Sequence, residues 1–99
     1  MKYRKVTSLT DDEIKEVFKV VFDVDNAEII SRNKEEDTVI CGFEAVWGED
    51  ILIQDTFEIS AYGIEDVGND YPLDRKQEEI IEKFLIARGC YYLQKNNPF

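Results

Sequence analysis

Carboxylates dominate one continuous part of this 99-residue chain. Between Glu35 and Asp74 the sequence holds twelve aspartates and glutamates and not one lysine or arginine, and the whole chain has a net charge of −10. Such a concentration of negative charge attracts cations and repels nucleic acid, phosphates and anionic membranes. We therefore expect any charged partner to be a basic protein surface, and we expect no direct binding to nucleic acid or to a membrane.

Carboxylates in pairs can also perform acid–base or glycosidic chemistry, or hold a divalent cation. The segment 23–34 begins like a calcium-binding loop, but Glu28 stands where the loop needs glycine and Lys34 where it needs a bidentate acid. The segment 65–70 has three acids without a recognised ligand spacing. The spacing therefore predicts solvated surface acids, with no metal ion and no cofactor.

The sequence contains no histidine. Histidine is the commonest general base and the commonest metal ligand in proteins. Its absence rules out Ser-His-Asp and Cys-His catalysis and every zinc site that needs an imidazole. A three-stranded domain of this size also has little room for a substrate cleft, so we expect a protein that is not an enzyme.

Cysteine usage and hydropathy favour a cytoplasmic location. Cys41 and Cys90 lie far apart and form no metal-binding or redox spacing, which is typical of reduced, buried side chains. The basic first residues are not followed by the apolar segment of a signal peptide. No apolar run approaches the length of about 20 residues that spans a membrane.

Two amphipathic helices are predicted, one towards each end of the chain. Thr10 begins a Thr-x-x-Glu capping box, and apolar residues then recur with a helical period, which predicts a helix at about 11–23. Asp74 begins a second capping box, which is followed by a second apolar stripe. Gly89 can either end this second helix or lie within it, and we favour continuation through Tyr92.

The middle of the chain alternates with the period of two that is typical of β-strands. Three strands are predicted, at about 27–32, 38–47 and 51–61. The segment 63–73 contains two glycines and a proline among its acids and is predicted to be an acidic loop.

The register of the second and third strands follows from their apolar faces, because a shift of one residue would turn every side chain over. Matching these faces places Trp47 opposite Ile51 and Phe43 opposite Asp55. Asp55 is therefore an acid on the apolar face, and two interpretations remain open. It is either an inward charge that discourages edge-to-edge pairing or bonds a nearby backbone, or a desolvated carboxylate with a raised pKa that marks a site.

The predicted fold class is α+β: a three-stranded antiparallel sheet with two helices on one face, in the order α-β-β-β-α. We expect residues 1–99 to form one compact acidic domain. The other sheet face should meet water. Its expected polar residues are Glu28, Arg32, Glu44, Gln54, Thr56, Glu58 and Ser60, with Ile30, Ile40, Val46 and Leu52 among them.

The water-facing strands and the acidic loop supply the candidate binding residues. The residues predicted to contact a partner are Glu44, Glu49, Asp50, Glu58, Glu65, Asp66 and Asp70. Acids of the second helix, such as Glu78 and Glu82, lie outside the 35–74 stretch, and we expect them to matter much less.

In size, acidity, element order and lack of a catalytic set, the chain resembles phage-borne inhibitors such as anti-CRISPR proteins. It also resembles the small acidic immunity proteins that neutralise nuclease toxins. The resemblance implies an inhibitor or nucleic-acid mimic that docks onto a basic nuclease or DNA-binding protein. Two other interpretations stay open: a binding domain for some other partner, and a structural or assembly subunit, such as a virion accessory protein or a homodimer, whose acids only solvate its surface.

Overall fold

The structure, a computed structural model, describes residues 3–47 and 51–92. Its elements, in chain order, are a 3-10 turn at Val6–Ser8, α1 (Asp11–Phe22), β1 (Glu28–Asn33), β2 (Thr38–Trp47), β3 (Ile51–Ser60), β4 (Gly63–Asp66) and α2 (Arg75–Ala87). The strands form one antiparallel sheet in the order β1-β2-β3-β4. The α+β class is therefore confirmed, but the sheet has four strands where three were predicted.

Helix α1 begins and ends where local chemistry requires. The Thr10 hydroxyl accepts from the Glu13 amide at 3.2 Å, and the Glu13 carboxylate accepts from the Thr10 amide at 2.9 Å, which completes the predicted capping box. The helix ends at Phe22, and the next residue, Asp23, has a left-handed backbone with φ 59°. Its apolar stripe is buried and consists of Ile14, Val17, Phe18 and Val21.

Helix α2 also begins at its predicted capping box, in which the Asp74 carboxylate accepts from the Gln77 amide at 2.7 Å. The helix ends at Ala87. Gly89 then has φ 82°, a conformation that glycine adopts at little cost, and its carbonyl accepts from the Arg4 amide at 2.9 Å. The predicted continuation of the helix beyond Gly89 is therefore wrong.

The predicted register of β2 and β3 is confirmed, with Trp47 opposite Ile51 and Phe43 opposite Asp55. Side chains of both helices and of one sheet face form a single core. Its buried members are Val6, Leu9, Ile14, Val17, Phe18, Val21, Ala27, Val39, Cys41, Phe57, Ile59, Ile64, Ile81, Leu85 and Cys90.

A β-bulge in β1 changes the predicted face of Arg32. The register shifts between Ile29 and Ser31, so that Ile29 lies opposite Cys41 while Arg32 lies opposite Val39. An extra residue in one strand turns the residues that follow it to the other face. Arg32 therefore lies on the helix side of the sheet, and the prediction that it faces water is wrong.

The bonds of Arg32 explain why the helix side suits it. Its guanidinium donates to the carbonyl of Thr7 at 2.8 Å and to that of Leu9 at 2.6 Å. It also lies 2.7 Å from the carboxylate of Asp11 in the first turn of α1. The arginine thus satisfies two backbone carbonyls that precede α1.

The fourth strand, β4, occupies the first part of the predicted acidic loop. A two-residue turn after β3 brings Gly63, at φ 106°, opposite Ser60, and Ile64 then lies opposite the core residue Ile59. Ile64 is buried in the core beside it. With four residues, three of them polar or glycine, β4 is too short to show a strand period in the sequence.

Candidate functional site

The sheet face that points away from the core residues carries the main group of acids, and we call it the open face. Residues directly opposite each other on antiparallel strands share a face. The strand register therefore defines its described residues, which are Glu28, Ile30, Ser31, Ile40, Gly42, Glu44, Gln54, Thr56, Glu58, Ser60 and Glu65. Four of these residues are carboxylates and none of the set is basic.

Ion pairing between described residues takes place away from the open face. The carboxylates of the recorded ion pairs belong to Asp11, Glu13, Glu16, Asp25 and Glu79, all of which lie outside the 35–74 stretch. Arg32, the base that the sequence predicted for the open face, pairs with Asp11 on the other side of the sheet. The basic side chains in these pairs therefore do not neutralise the open face.

Two contacts hold Glu44 in position on the open face. Its carboxylate accepts from the side-chain amide of Gln54 at 2.8 Å. Its backbone carbonyl accepts from the side-chain amide of Asn26. Glu58 and Glu65 are direct cross-strand neighbours, whose Cβ atoms are typically about 5 Å apart. These three predicted residues therefore lie together on one rigid surface.

A shallow depression of about 310 Å³ lies over Gly42, between Glu28 and Glu44. Gly42 has no side chain, which lets Ile30 Cδ1 approach this part of β2 closely. A Cβ atom on Gly42 would lie 3.1 Å from Ile30 Cδ1 and 3.2 Å from the Asp55 carbonyl oxygen, which is closer than ordinary contact. The depression can take the end of one side chain from a partner, and two carboxylates beside it favour a cation there.

A second acidic concavity, of about 690 Å³, lies between β4, the segment 67–73 and α2, and we call it the β4–α2 groove. Its acidic lining consists of Glu65, Asp66, Asp70, Glu78, Glu79 and Glu82. Arg75 is the basic residue of the lining and lies 3.6 Å from Glu79. The groove thus brings acids of α2 close to predicted residues of the 35–74 stretch.

From the sequence we expect the α2 acids Glu78 and Glu82 to matter much less, yet both line the β4–α2 groove. Glu78 and Glu82 lie one helical turn apart, which places them on one side of the helix, but that spacing does not reveal which element they border. Their neighbours depend on how α2 packs beside β4, a strand that the periodicity did not reveal. These two acids are the candidate residues that sequence reasoning missed.

Asp66 is 6% exposed and is bonded within the protein. Its carboxylate accepts from the amides of Gly68 at 3.1 Å and of Asn69 at 2.8 Å. Burial alone would raise its pKa. The hydrogen bonds from the Asn69 amide, from the Asp55 side chain and from further backbone amides outweigh burial and lower the pKa of Asp66.

Asp55 lies on the core side of the sheet, where it is half-buried, and its carboxyl is hydrogen-bonded to that of Asp66. Burial raises the pKa of Asp55 to about 6, and the bond to Asp66 adds to that rise. The pKa values of the two carboxyl groups are therefore shifted in opposite directions. Both interpretations of Asp55 find support, because its carboxyl accepts from the Thr56 amide at 2.9 Å and burial raises its pKa.

Other acids of the 35–74 stretch have roles inside the fold. The Asp37 carboxylate accepts from the amides of Val6 and Thr7 and from the Thr7 hydroxyl at distances of 3.0 to 3.1 Å. Asp74 caps α2. The acids of the 35–74 stretch therefore do not form one continuous patch. Some lie on the open face, some line the β4–α2 groove, and others have roles inside the fold.

The predicted partner-binding residues divide between these surfaces. Glu44, Glu58 and Glu65 share the open face, while Asp70 is exposed in the β4–α2 groove that Asp66 also lines from a buried position. The remaining two, Glu49 and Asp50, lie outside the described residues.

We next consider metal ligands, cysteines and membrane-spanning helices in the part of the chain that the structure describes. Residues 3–47 and 51–92 contain no group of three or more His, Cys, Asp or Glu side chains that could hold a metal ion. Cys41 and Cys90 are both buried and free, as predicted, and burial raises the pKa of the Cys41 thiol to about 12. Neither described helix has the length and apolar character needed to cross a membrane.

No protein-family model, curated protein or solved structure matches this chain.

Proposed function

We propose that this protein is a small acidic binding domain, without enzymatic activity, that docks onto a basic protein surface through its open face. One observation carries the proposal: the described residues of the open face include four carboxylates and no basic residue, on the side of the sheet that the core leaves uncovered. Complementary charge of this kind speeds association and selects partners of opposite sign.

The position of Arg32 supports this choice of surface. Without the bulge in β1, Arg32 would share the face of Glu28 and would neutralise part of it. The bulge places the guanidinium beneath the sheet, bonded to two carbonyls and to Asp11, so Arg32 does not neutralise Glu28. Such a separation of cation from anions favours docking on a basic surface over simple solvation.

More specifically, we propose that the open face imitates nucleic acid and occupies the basic channel of a nuclease or DNA-binding protein. Carboxylates fixed on neighbouring strands present repeated negative charge from a rigid support, as a phosphate backbone does. The contact residues that we assign are Glu44, Glu58 and Glu65, with Glu28 beside them. The depression over Gly42 would receive one lysine or arginine of the partner.

Three double charge reversals of equal size test the location. Glu44→Lys with Glu58→Lys alters the open face, Glu78→Lys with Glu82→Lys alters the β4–α2 groove, and Glu35→Lys with Glu36→Lys alters the exposed β1–β2 turn. Each tagged variant and the wild type are exposed to a cell lysate at low and high salt, and captured proteins are identified by mass spectrometry. The binding rates of a purified captured protein are then measured for all four chains.

We expect the open-face reversal to slow association strongly and the turn reversal to have little effect, with wild-type binding that weakens as salt rises. Loss confined to the groove variant would contradict the choice of the open face. Equal loss from all three variants would show a response to bulk charge and would contradict a defined docking surface. Circular dichroism of each variant checks that the fold is retained.

The assembly interpretation has one observation in its favour, which is that Ile30 is 61% exposed on the open face. A homodimer through this face would, however, bring the same four carboxylates of each copy together, and like charges at such an interface are costly. Native mass spectrometry separates the two interpretations, since a dimer that persists at high salt would favour assembly and a monomer would favour docking.

A further inference from the structure

We propose that Asp55 and Asp66 form a pH-dependent switch: a proton shared between their carboxyl groups holds the segment 67–70 against β3, and loss of that proton loosens the segment. This device is separate from the docking proposal and does not need a partner.

The two carboxyl groups share a confined site on the core side of the sheet. Asp66 of β4 lies directly opposite Phe57, and Asp55 of β3 lies directly opposite Phe43, so an aromatic ring neighbours each carboxyl. Two carboxyl groups joined by a hydrogen bond require a proton between them, because two carboxylates only repel. Both carboxyl groups lie beside Gly68, and a proton on one of them relieves the repulsion between the pair.

The segment 67–70 is attached to this pair and to the adjacent backbone. The Thr56 carbonyl accepts from the amides of Val67 at 2.9 Å and of Gly68 at 3.0 Å. Asp66 accepts from the amides of Gly68 and Asn69, and the Asn69 side chain bonds to Asp55. The pair thus supplies acceptors for the same amides that tie the segment to β3.

Gly68 shows how closely the segment approaches the pair. A Cβ atom at this position would lie 2.8 Å from Asp55 Oδ1 and 2.9 Å from the Thr56 amide nitrogen. Both distances are shorter than side-chain carbon atoms tolerate. A change in the position of the Asp55 carboxyl is therefore transmitted directly to the segment, which has no intervening side chain to absorb it.

The surroundings supply little compensating charge. The groups that act most strongly on the two carboxyls are each other, the backbone amides of Thr56, Gly68, Asn69 and Tyr71, and the Asn69 side chain. The cross-strand neighbours Phe43 and Phe57 are uncharged, and Phe22 of α1 packs against both of their rings. The titratable and charged groups on the segment and on α2 across the β4–α2 groove are Asp70, Arg75, Glu78, Glu79 and Glu82.

The direction of the pKa shifts agrees with this arrangement. Burial and the bond to Asp66 raise the pKa of Asp55 to about 6, while the pKa of Asp66 is lowered. The pair therefore holds one proton between the two values and none well above pH 6. Loss of the proton places two negative charges in a confined site, and movement of the exposed segment 67–70 would let water reach them.

The segment also forms part of one wall of the β4–α2 groove, through Val67 and Asp70. The protonation state of the Asp55–Asp66 pair therefore sets the shape of that wall. The switch therefore changes the shape of the groove between mildly acidic and neutral pH, whatever the groove binds.

The test is nuclear magnetic resonance of the full chain between pH 4 and pH 8. The carboxyl carbon of Asp55 should titrate near pH 6. Protection of the Gly68 and Asn69 amides against hydrogen exchange, after correction for intrinsic exchange rates, should fall about tenfold from pH 5 to pH 7. Amides of Cys41 and Ile59 in the core serve as internal references.

Three variants complete the test. Asp55→Asn keeps a neutral donor beside Asp66 and should make Gly68 protection the same at pH 5 and pH 7. Asp66→Asn should shift the titration of Asp55 towards the ordinary range for an aspartate. Asp70→Asn, in the same segment, should leave the wild-type behaviour unchanged.

Several results would overturn the switch. These are ordinary titration of Asp55, wild-type protection that does not change between pH 5 and pH 7, or a wild-type pH response in Asp55→Asn. If Asp55→Asn does not fold, the wild-type titration and the Asp66→Asn variant still decide between the outcomes.

Discussion

The guanidinium of Arg4 lies against the carboxylate of Glu13, with N···O distances of 2.5 Å and 2.9 Å. Arg88, at the end of α2, brings a second guanidinium to 3.3 Å from the same carboxylate. Glu13 also completes the cap of α1. One side chain thus joins the beginning of the described chain to both helices, and its hydrogen bond from Arg4 helps to lower the pKa of Glu13 to about 2.

Glu13→Gln should reduce the free energy of unfolding by about 1–2 kcal/mol at pH 7, after allowance for solvent around this half-buried pair. A depressed acid pKa means that the stabilisation is present above the unfolded value near 4.5 and is lost as pH falls towards 2. Urea denaturation at pH 7 and pH 2.5 measures both effects. Glu16→Gln, which removes the more exposed partner of Arg88, is the control and should cost less. Equal losses for the two variants would contradict a special role for Glu13.

Phe18→Ala should cost about 3–5 kcal/mol of unfolding free energy, because Phe18 is fully buried and its ring packs against those of Phe22, Phe43 and Phe57. Phe43 is only half-buried, so Phe43→Ala should cost less. Chemical denaturation of both variants gives the comparison. A loss below about 1 kcal/mol for Phe18→Ala would mean that α1 does not pack on the sheet as described.

Stability should depend on pH through Asp55. Its folded pKa is raised to about 6, so ionisation is a penalty on the folded state, absent at low pH and fully present above pH 6. The free energy of unfolding should fall by about 1 kcal/mol from pH 5 to pH 7, and Asp55→Asn should abolish this fall. Denaturant titrations at the two pH values measure the difference. A wild-type protein more stable at pH 7 than at pH 5 would show that other groups dominate.

Gly68→Ala should destabilise the protein by about 1–3 kcal/mol, because the new methyl group would overlap Asp55 and the Thr56 backbone. The chain must then move the segment 67–70 or the end of β3. Thermal unfolding of the variant provides the measurement. Ala substitution at the exposed neighbour Asn69 changes a side chain without adding bulk near Thr56, and it should cost less.

The strongest sequence signals were local ones. Each capping box, and each alternating strand face, is formed by residues that are close together in the sequence. These local patterns therefore predicted the helix starts and the register of β2 and β3. The bulge in β1 and the short strand β4 depend on how they pair with the neighbouring strand, and the end of α2 at Ala87 is followed by a bond between the distant residues Gly89 and Arg4. Periodicity carries no information about such contacts.

The same limit applies to the candidate surfaces. Alternation along β2 and β3 placed Glu44 and Glu58 on one face, because strand side chains alternate strictly. It did not place Glu65 beside Glu58, since that neighbour comes from β4. Nor did it separate Asp66, which is buried, from Asp70, which is exposed four residues later.

The bulge in β1 sorts opposite charges within a strand of six residues. Glu28 and Arg32 are four positions apart, an even interval that in an unbroken strand would project both from the same side. The additional residue sends the anion outwards and the cation inwards. Deletion of one residue between them would remove the bulge. Either Glu28 would then turn to the core side, or Arg32 would lose its carbonyl partners. One inserted residue is therefore enough to give a small protein two electrically distinct sides.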